Sequence, residues 1–352
     1  MARRRGHGGW RVLAWGWLGV LLLLGGGAAW LQHLGPLAPP RPPLAQAAPL
    51  PTPAPAPVPV VQAAPTAGLV AAGTQTLPGA IAAPDPALLE PSTTFPGGML
   101  PRIGPGGRLP LRAYAAAAPP PDARPRIAIL LGGIGMSEAD SGEAIRTLPP
   151  AVSLAVSPYA WRPEKLLEDA RAAGHEILLA LPLEPERYPL DDPGNHALLT
   201  GNLAALNHQR LEWALTRFAG YVGATGALNG MRGERFAAAA ELMGSVLREL
   251  AARGLLYIDP RPGAPPPPIA VGRSVDVVID EPAVRTEIET NLARLEQVAH
   301  DRGAALGLAG VPQPVTLDRL AAWAATLAAR GFVLVPVSAL VQPAPADGVA
   351  HQ

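Results

Sequence analysis

Apolar and polar positions along the chain follow two patterns, separated by a stretch that has neither. The first is an uncharged run at residues 12–31, about 20 residues or roughly 30 Å as a helix, which matches the thickness of a hydrocarbon core. Arg3, Arg4, Arg5 and Arg11 come before it, and a basic flank of this kind stays on the cytoplasmic side. The reading is a cytoplasmic flank at 1–11 followed by a transmembrane signal anchor at 12–31. Gly27-Ala28-Ala29 offers small residues for a cleavage site, so secretion after signal cleavage is the alternative. Either way the remainder of the chain is exported.

The second pattern begins at Arg126. Short apolar runs at 127–131, 152–156, 177–181, 221–224, 255–258, 275–279, 305–308 and 332–336 predict buried strands. Helical spacing separates most of them: Phe236, Met243, Leu247 and Leu250 share one face, as do Val284, Ile288, Leu292, Leu295 and Ala299, and Leu320, Trp323 and Leu327. Seven or eight βα units predict an α/β domain over 126–340, with a parallel sheet closed or nearly closed into a barrel.

Composition explains the stretch between. Of 44 prolines, 24 fall in residues 35–125, and residues 32–87 read as a Pro/Ala-rich disordered linker. Its run Pro51-Thr52-Pro53-Ala54-Pro55-Ala56-Pro57 favours extended polyproline conformations and suits a spacer. Apolar and Gly content rises over 88–125, which predicts a short arm packing on the domain. Residues 341–352 read as a disordered tail. The absence of cysteine excludes disulfides and Cys-ligated metal sites. Residues 126–340 carry 19 basic and 24 acidic residues, so no basic footprint for nucleic acid exists.

Parallel α/β folds place function at the carboxyl ends of their strands. There the chain puts Gly132-Gly133, Glu184, Asn229 to Gly233, Asp259-Pro260-Arg261, Asp280-Glu281 and Gly310-Val311-Pro312. Glu184, Asp259 and Asp280 are the catalytic candidates, since carboxylates at one rim can serve as acid, base or metal ligand. Asn229, Arg232, Asp259 and Arg261 are the candidate ligand-binding residues. Gly133-Ile134-Gly135 does not make a dinucleotide fingerprint, because Glu138 stands where the third glycine belongs. His175, His196, His208 and His300 are too far apart in sequence to form a local metal pair, and His175 sits at a strand entrance.

The segments Arg126-Ile127-Ala128-Ile129-Leu130-Leu131-Gly132-Gly133-Ile134-Gly135, Ala180-Leu181-Pro182-Leu183-Glu184-Pro185 and Gly254-Leu255-Leu256-Tyr257-Ile258-Asp259, in that order, resemble the divergent polysaccharide deacetylase family. Asn229-Gly230-Met231, Asp280 and Gly310-Val311-Pro312 extend the likeness across the domain. The resemblance implies a deformed (β/α)7–8 barrel related to metal-dependent carbohydrate esterases, in an exported envelope protein. The chain departs from the pattern at its chemical positions. The family's Asp-Asp appears as Gly132-Gly133, and its histidines before Leu-Pro-Met-Glu-Pro, in Asn-His-Met-Gly and in Gly-His-Pro correspond to Ala180, Gly230 and Val311. No cofactor and no standard zinc site are therefore expected, and an all-carboxylate set would suit Mg²⁺ or Ca²⁺ better.

The resulting expectation is a single-pass protein of the bacterial inner membrane with its domain in the periplasm, binding an envelope glycan or an envelope protein without catalysis. The alternatives are an active carbohydrate hydrolase or deacetylase with a rearranged carboxylate site, and a purely structural envelope scaffold.

Overall fold

The computed structural model describes residues 79–341 and, ahead of them, Trp17 alone. The anchor expected at 12–31 therefore lies, Trp17 apart, outside the described residues, as do most of the expected linker and the tail after Val341. Among the described residues no helix is long and apolar enough to cross a membrane. The fold below belongs to the compact unit Ala71–Gln352.

After the hairpin strands β1 (Leu89–Pro91) and β2 (Met99–Pro101) and the single helical turn α1 (Pro110–Ala113), strands and helices alternate. They are β3 (Arg126–Ile134), α2 (Glu138–Thr147), β4 (Ser153–Val156), α3 (Glu164–Ala172), β5 (Ile177–Ala180), α4 (Ala204–Leu215), β6 (Gly223–Thr225), α5 (Glu234–Ala238), α6 (Ala240–Ala252) and β7 (Leu256–Asp259). The short strands β8 (Gly272–Ser274) and β9 (Val277–Val278) precede α7 (Arg285–Arg302), β10 (Ala304–Ala309), α8 (Pro314–Leu327), β11 (Val333–Leu334) and α9 (Ser338–Val341). Each apolar run read from the sequence overlaps one of these strands, and β8 (Gly272–Ser274) lies outside every run. Local signals place the helices: the Ser137 side chain accepts from the Asp140 amide to start α2, and Gly303, at φ 77°, ends α7 in the left-handed conformation.

The main sheet is parallel, in the order β8-β7-β6-β5-β4-β3-β10-β9, with β11 beside the amino-terminal half of β3. Its two ends share one stretch of chain. The Val275 amide donates to the Asp259 carbonyl of β7, and the next amide, Asp276, donates to the Leu306 carbonyl of β10. The sheet is thus curled into a half-barrel, and Val275-Asp276 links its two edge strands.

Alternation along β3 shows how the core divides. Ile127, Ile129 and Leu131 pack in the cluster that includes the helix residues Ile288, Leu292 and Leu320, while Ala128 and Leu130 join Ala155, Leu178, Ala180, Ile258 and Leu308 in a second cluster. Period-two alternation on a curled sheet produces this pair of layers, one against the helices and one inside the curl. The arm completes the inner layer: Ile81, Leu88, Tyr114 and Ala116 belong to it. Gly174 and Gly254, which precede β5 and β7, contact the arm, so the arm covers the amino ends of the strands. Packed structure begins ahead of the Leu88 boundary expected for the arm, since the Ile81 amide already donates to the Arg171 carbonyl.

Candidate binding site at the barrel mouth

The end of β3 and the loops after β6 and β10 meet at the carboxyl end through glycine backbone. A Cβ added at Gly132 would stand 2.8 Å from the Gly310 carbonyl oxygen, and one at Gly310 would stand 3.3 Å from the Gly230 Cα. Gly133, at φ 71°, lies against Pro312 and Val311. Leu228 and Met231 exchange backbone hydrogen bonds around Asn229-Gly230, whose φ values of 49° and 83° match a two-residue turn in the left-handed region. The approach at Gly132 leaves no room for a side chain unless the facing backbone shifts, those at Gly133 and Gly310 are tight, and a Cβ at Gly230 would meet nothing within 4 Å. Gly132, Gly133 and Gly230 stand where the resembled family carries Asp-Asp and histidine.

This geometry bears on the metal that the resemblance implies. A hydrolytic zinc needs about three protein ligands, mostly imidazole and carboxylate, and an open coordination position. At 132, 133, 230 and 311 the chain supplies no donor side chain, and at 132 a carboxylate would force the backbone of the facing loop to move. Among the described residues no group of three His, Asp or Glu side chains lies close enough to hold a metal ion. The residues present do not fit such a centre.

Nor does the structure bring the three candidate carboxylates into one set; each is engaged by its own neighbours. Glu184, almost fully buried, accepts from the Thr200 amide at 2.5 Å and hydroxyl at 2.7 Å, and pairs with Arg235 at 3.2 Å. Burial pushes its pKa up, but the Thr200 bonds and Arg235 together outweigh that and hold it below the usual carboxylate value. Asp259 is gripped by Arg261, which donates from its backbone amide at 3.0 Å and from its guanidinium at 2.6 Å. Asp280 accepts from the Gly310 amide at 2.8 Å and the Thr316 hydroxyl at 3.3 Å. Its burial raises its pKa, because these neutral donors offset the desolvation only in part. Asp280 thereby pins the Gly310 loop against the mouth.

The open space lies to one side of this plug. A cleft of about 520 Å³ is lined by residues of three loops, among them Asn229, Arg232, Glu186, Asp192, Glu234 and Glu281. Arg232 stands at its centre of charge, 2.5 Å from Glu281 and 3.3 Å from Glu234. Of the four candidate binding residues, Asn229 and Arg232 line this cleft, whereas Asp259 and Arg261 form their pair outside its lining. Half-buried charges with accessible edges can exchange hydrogen bonds with hydroxyl groups of a ligand.

Sequence reasoning missed Arg235 and Thr200, which hold Glu184, and it missed the contribution of Glu186, Asp191, Asp192 and Glu234 to the cleft. No local spacing marks these residues, since the loops meet only after the sheet curls. It also passed over Trp161, which follows the carboxyl end of β4 and has 84 % of its surface exposed. The signal was available in Trp161-Arg162-Pro163, a large apolar side chain in a turn between a strand and a proline-started helix.

A profile of the family described as divergent polysaccharide deacetylase matches residues 129–341. Among solved structures, an uncharacterized protein from Agrobacterium tumefaciens C58 is 33 % identical, with a TM-score of 0.63 over 69 % of this chain and 100 % of that one. A family 4 carbohydrate esterase from Streptomyces lividans, in complex with acetate, matches 62 % of this chain and 92 % of its own at 15 % identity and a TM-score of 0.37. The catalytic domain of a peptidoglycan N-acetylglucosamine deacetylase from Eubacterium rectale matches 68 % of this chain and 100 % of its own at 13 % identity and a TM-score of 0.39. No curated protein matches the chain.

Proposed function

Because this chain belongs to the divergent polysaccharide deacetylase family, we propose that it is a carbohydrate-binding member of that family whose mouth no longer carries metal chemistry. Its ligand is an envelope glycan. The signal anchor at 12–31 holds the chain in the bacterial inner membrane, and the proline-rich segment sets the domain off into the periplasm.

One observation carries the reading: the approach of Gly132 to the Gly310 carbonyl, where a Cβ would stand at 2.8 Å. Loss of a ligand side chain alone leaves an empty pocket that a neighbouring residue can refill. Here the facing loop occupies the space, and Asp280, a carboxylate otherwise free to act, holds that loop by its amide. The polar cleft around Arg232 remains, and its carboxylates and guanidinium suit the hydroxyl and amide groups of a sugar chain.

The test uses the full-length protein in detergent micelles, titrated calorimetrically with peptidoglycan fragments and N-acetylated chitooligosaccharides. Binding to at least one fragment is expected, several-fold weaker in Arg232→Ala and in Asn229→Ala, the two candidate residues that line the cleft, with no acetate released. Failure to bind any fragment contradicts the glycan reading, and metal-dependent acetate release contradicts the loss of chemistry.

A further inference from the structure

Trp161 follows β4 in the turn that enters α3, and its exposure contrasts with that of Trp213 and Trp323. Trp213 stacks on His196 with 3.7 Å between ring centroids, and Trp323 donates its indole N–H to Glu296 at 2.6 Å. Trp161 is left with 84 % of its surface open. Its contact is the next residue: the Arg162 guanidinium lies 5.6 Å from the ring centroid.

The backbone supports this display at a cost. Arg162 has φ 48°, the left-handed region that L side chains rarely adopt, and it precedes Pro163, which restricts its conformation further. Strain of this kind is retained where the surroundings enforce it, and it concentrates at functional sites. Here the turn holds a large apolar ring in water instead of folding it onto α3.

The loop that carries the ring packs on a loop of the cleft. Two residues before it, the Tyr159 hydroxyl accepts from the His196 amide at 3.1 Å, and a Cβ at Gly194 would meet that hydroxyl at 2.8 Å. The same loop then supplies Asp191 and Asp192 to the cleft lining. The exposed indole and the polar cleft therefore stand on loops that are packed together.

We propose that Trp161 is a stacking platform for a pyranose ring of the glycan whose neighbouring residues enter the cleft. The proposal rests on the glycan reading above and names a subsite of the same mouth. A pyranose has an apolar C–H face and a rim of hydroxyls. An indole face beside the Arg162 guanidinium, on a loop packed against the one that carries Asp191 and Asp192, offers both halves of that chemistry. A protein partner would instead be expected to seek a broader apolar core with few charges at its centre.

The test repeats the calorimetric titration on full-length wild type, Trp161→Ala and Trp161→Phe, each checked for an unchanged melting temperature. Wild-type binding, about tenfold weaker in Trp161→Ala and largely restored in Trp161→Phe, is the expected result. Wild-type binding unaltered by Trp161→Ala overturns the platform and leaves the glycan reading standing. No binding by wild type to any fragment removes the glycan reading and the platform with it.

Discussion

At the amino end of the barrel the fully buried Glu176 accepts hydrogen bonds from the Ser153 hydroxyl at 2.7 Å, the Ser338 amide at 2.9 Å and the Ser338 hydroxyl at 2.5 Å, with the Ala116 amide at 3.4 Å. At the carboxyl end Arg232 and its partners Glu234 and Glu281 remain partly open to the cleft. Both regions hold charge, but only the first has its hydrogen-bonding capacity filled by four bonds from three separate segments of the chain. Glu176 ties the arm, β4, β5 and the carboxyl-terminal turn together. A charge satisfied in this way is a fastening, whereas one with an open edge is available to a ligand. The comparison warns against reading a buried carboxylate as catalytic: Asp280, near the mouth, resembles Glu176 more than it resembles Glu281.

The largest test of that contrast is Glu176→Ala. Removing the carboxylate strands two hydroxyls and two amides in the interior, and the folding stability should drop by about 3 kcal/mol in urea denaturation. Glycan affinity of the folded fraction should stay as it was. Weaker binding without lost stability would reverse the assignment of the two ends.

Gly132→Asp tests whether the plug can be reopened. With the Gly310 carbonyl in its way, the new side chain should cost about 1–3 kcal/mol in the same assay and confer no metal-dependent stabilisation. A stable variant that gains bound zinc would show that the mouth retains the older chemistry in a latent form.

The smallest effects concern pH and separate the carboxylates. Because burial raises the pKa of Asp280, the folded chain keeps that proton to a higher pH than the unfolded chain does. Stability from this residue therefore falls as pH rises above the usual value of 3.8 through the folded value. Asp280→Asn should accordingly be tolerated better at pH 7 than at pH 4 in thermal melts, and the opposite order would mean that the ionised form is the stabilised one. Glu184 has the reverse sign. Its folded pKa is lowered, so its contribution is present above the usual 4.5 and is lost as pH falls, and Glu184→Gln should be most damaging near neutrality.

The barrel was legible because its information is local and repeated. Runs such as Ile127-Ala128-Ile129-Leu130-Leu131 and the spacing Ile288, Leu292, Leu295, Ala299 fix strand and helix before any tertiary contact is considered. The cover at the amino end was less legible. Leu88 and Tyr114 sit in segments too short for periodicity, and their burial depends on partners far along the chain. At the mouth the sequence shows that Gly132-Gly133 lack carboxylates, but not that the Gly310 loop closes over them, since that contact depends on the curl of the sheet. Nor does the order of Glu184, Asp259 and Asp280 along the strands reveal that Thr200, Arg261 and Gly310 hold them separately.

The central claim is that the mouth binds without a metal. It is tested most directly by titrating the full-length protein with Zn²⁺, Mn²⁺, Mg²⁺ and Ca²⁺ against chelator, reading bound metal and melting temperature together. A ligand of the folded state raises stability in proportion to RT ln(1 + [L]/Kd), so even a modest site would register. Neither stoichiometric metal nor a shift in melting temperature is expected. One equivalent of metal, lost in Asp280→Asn or Asp259→Ala, would contradict it.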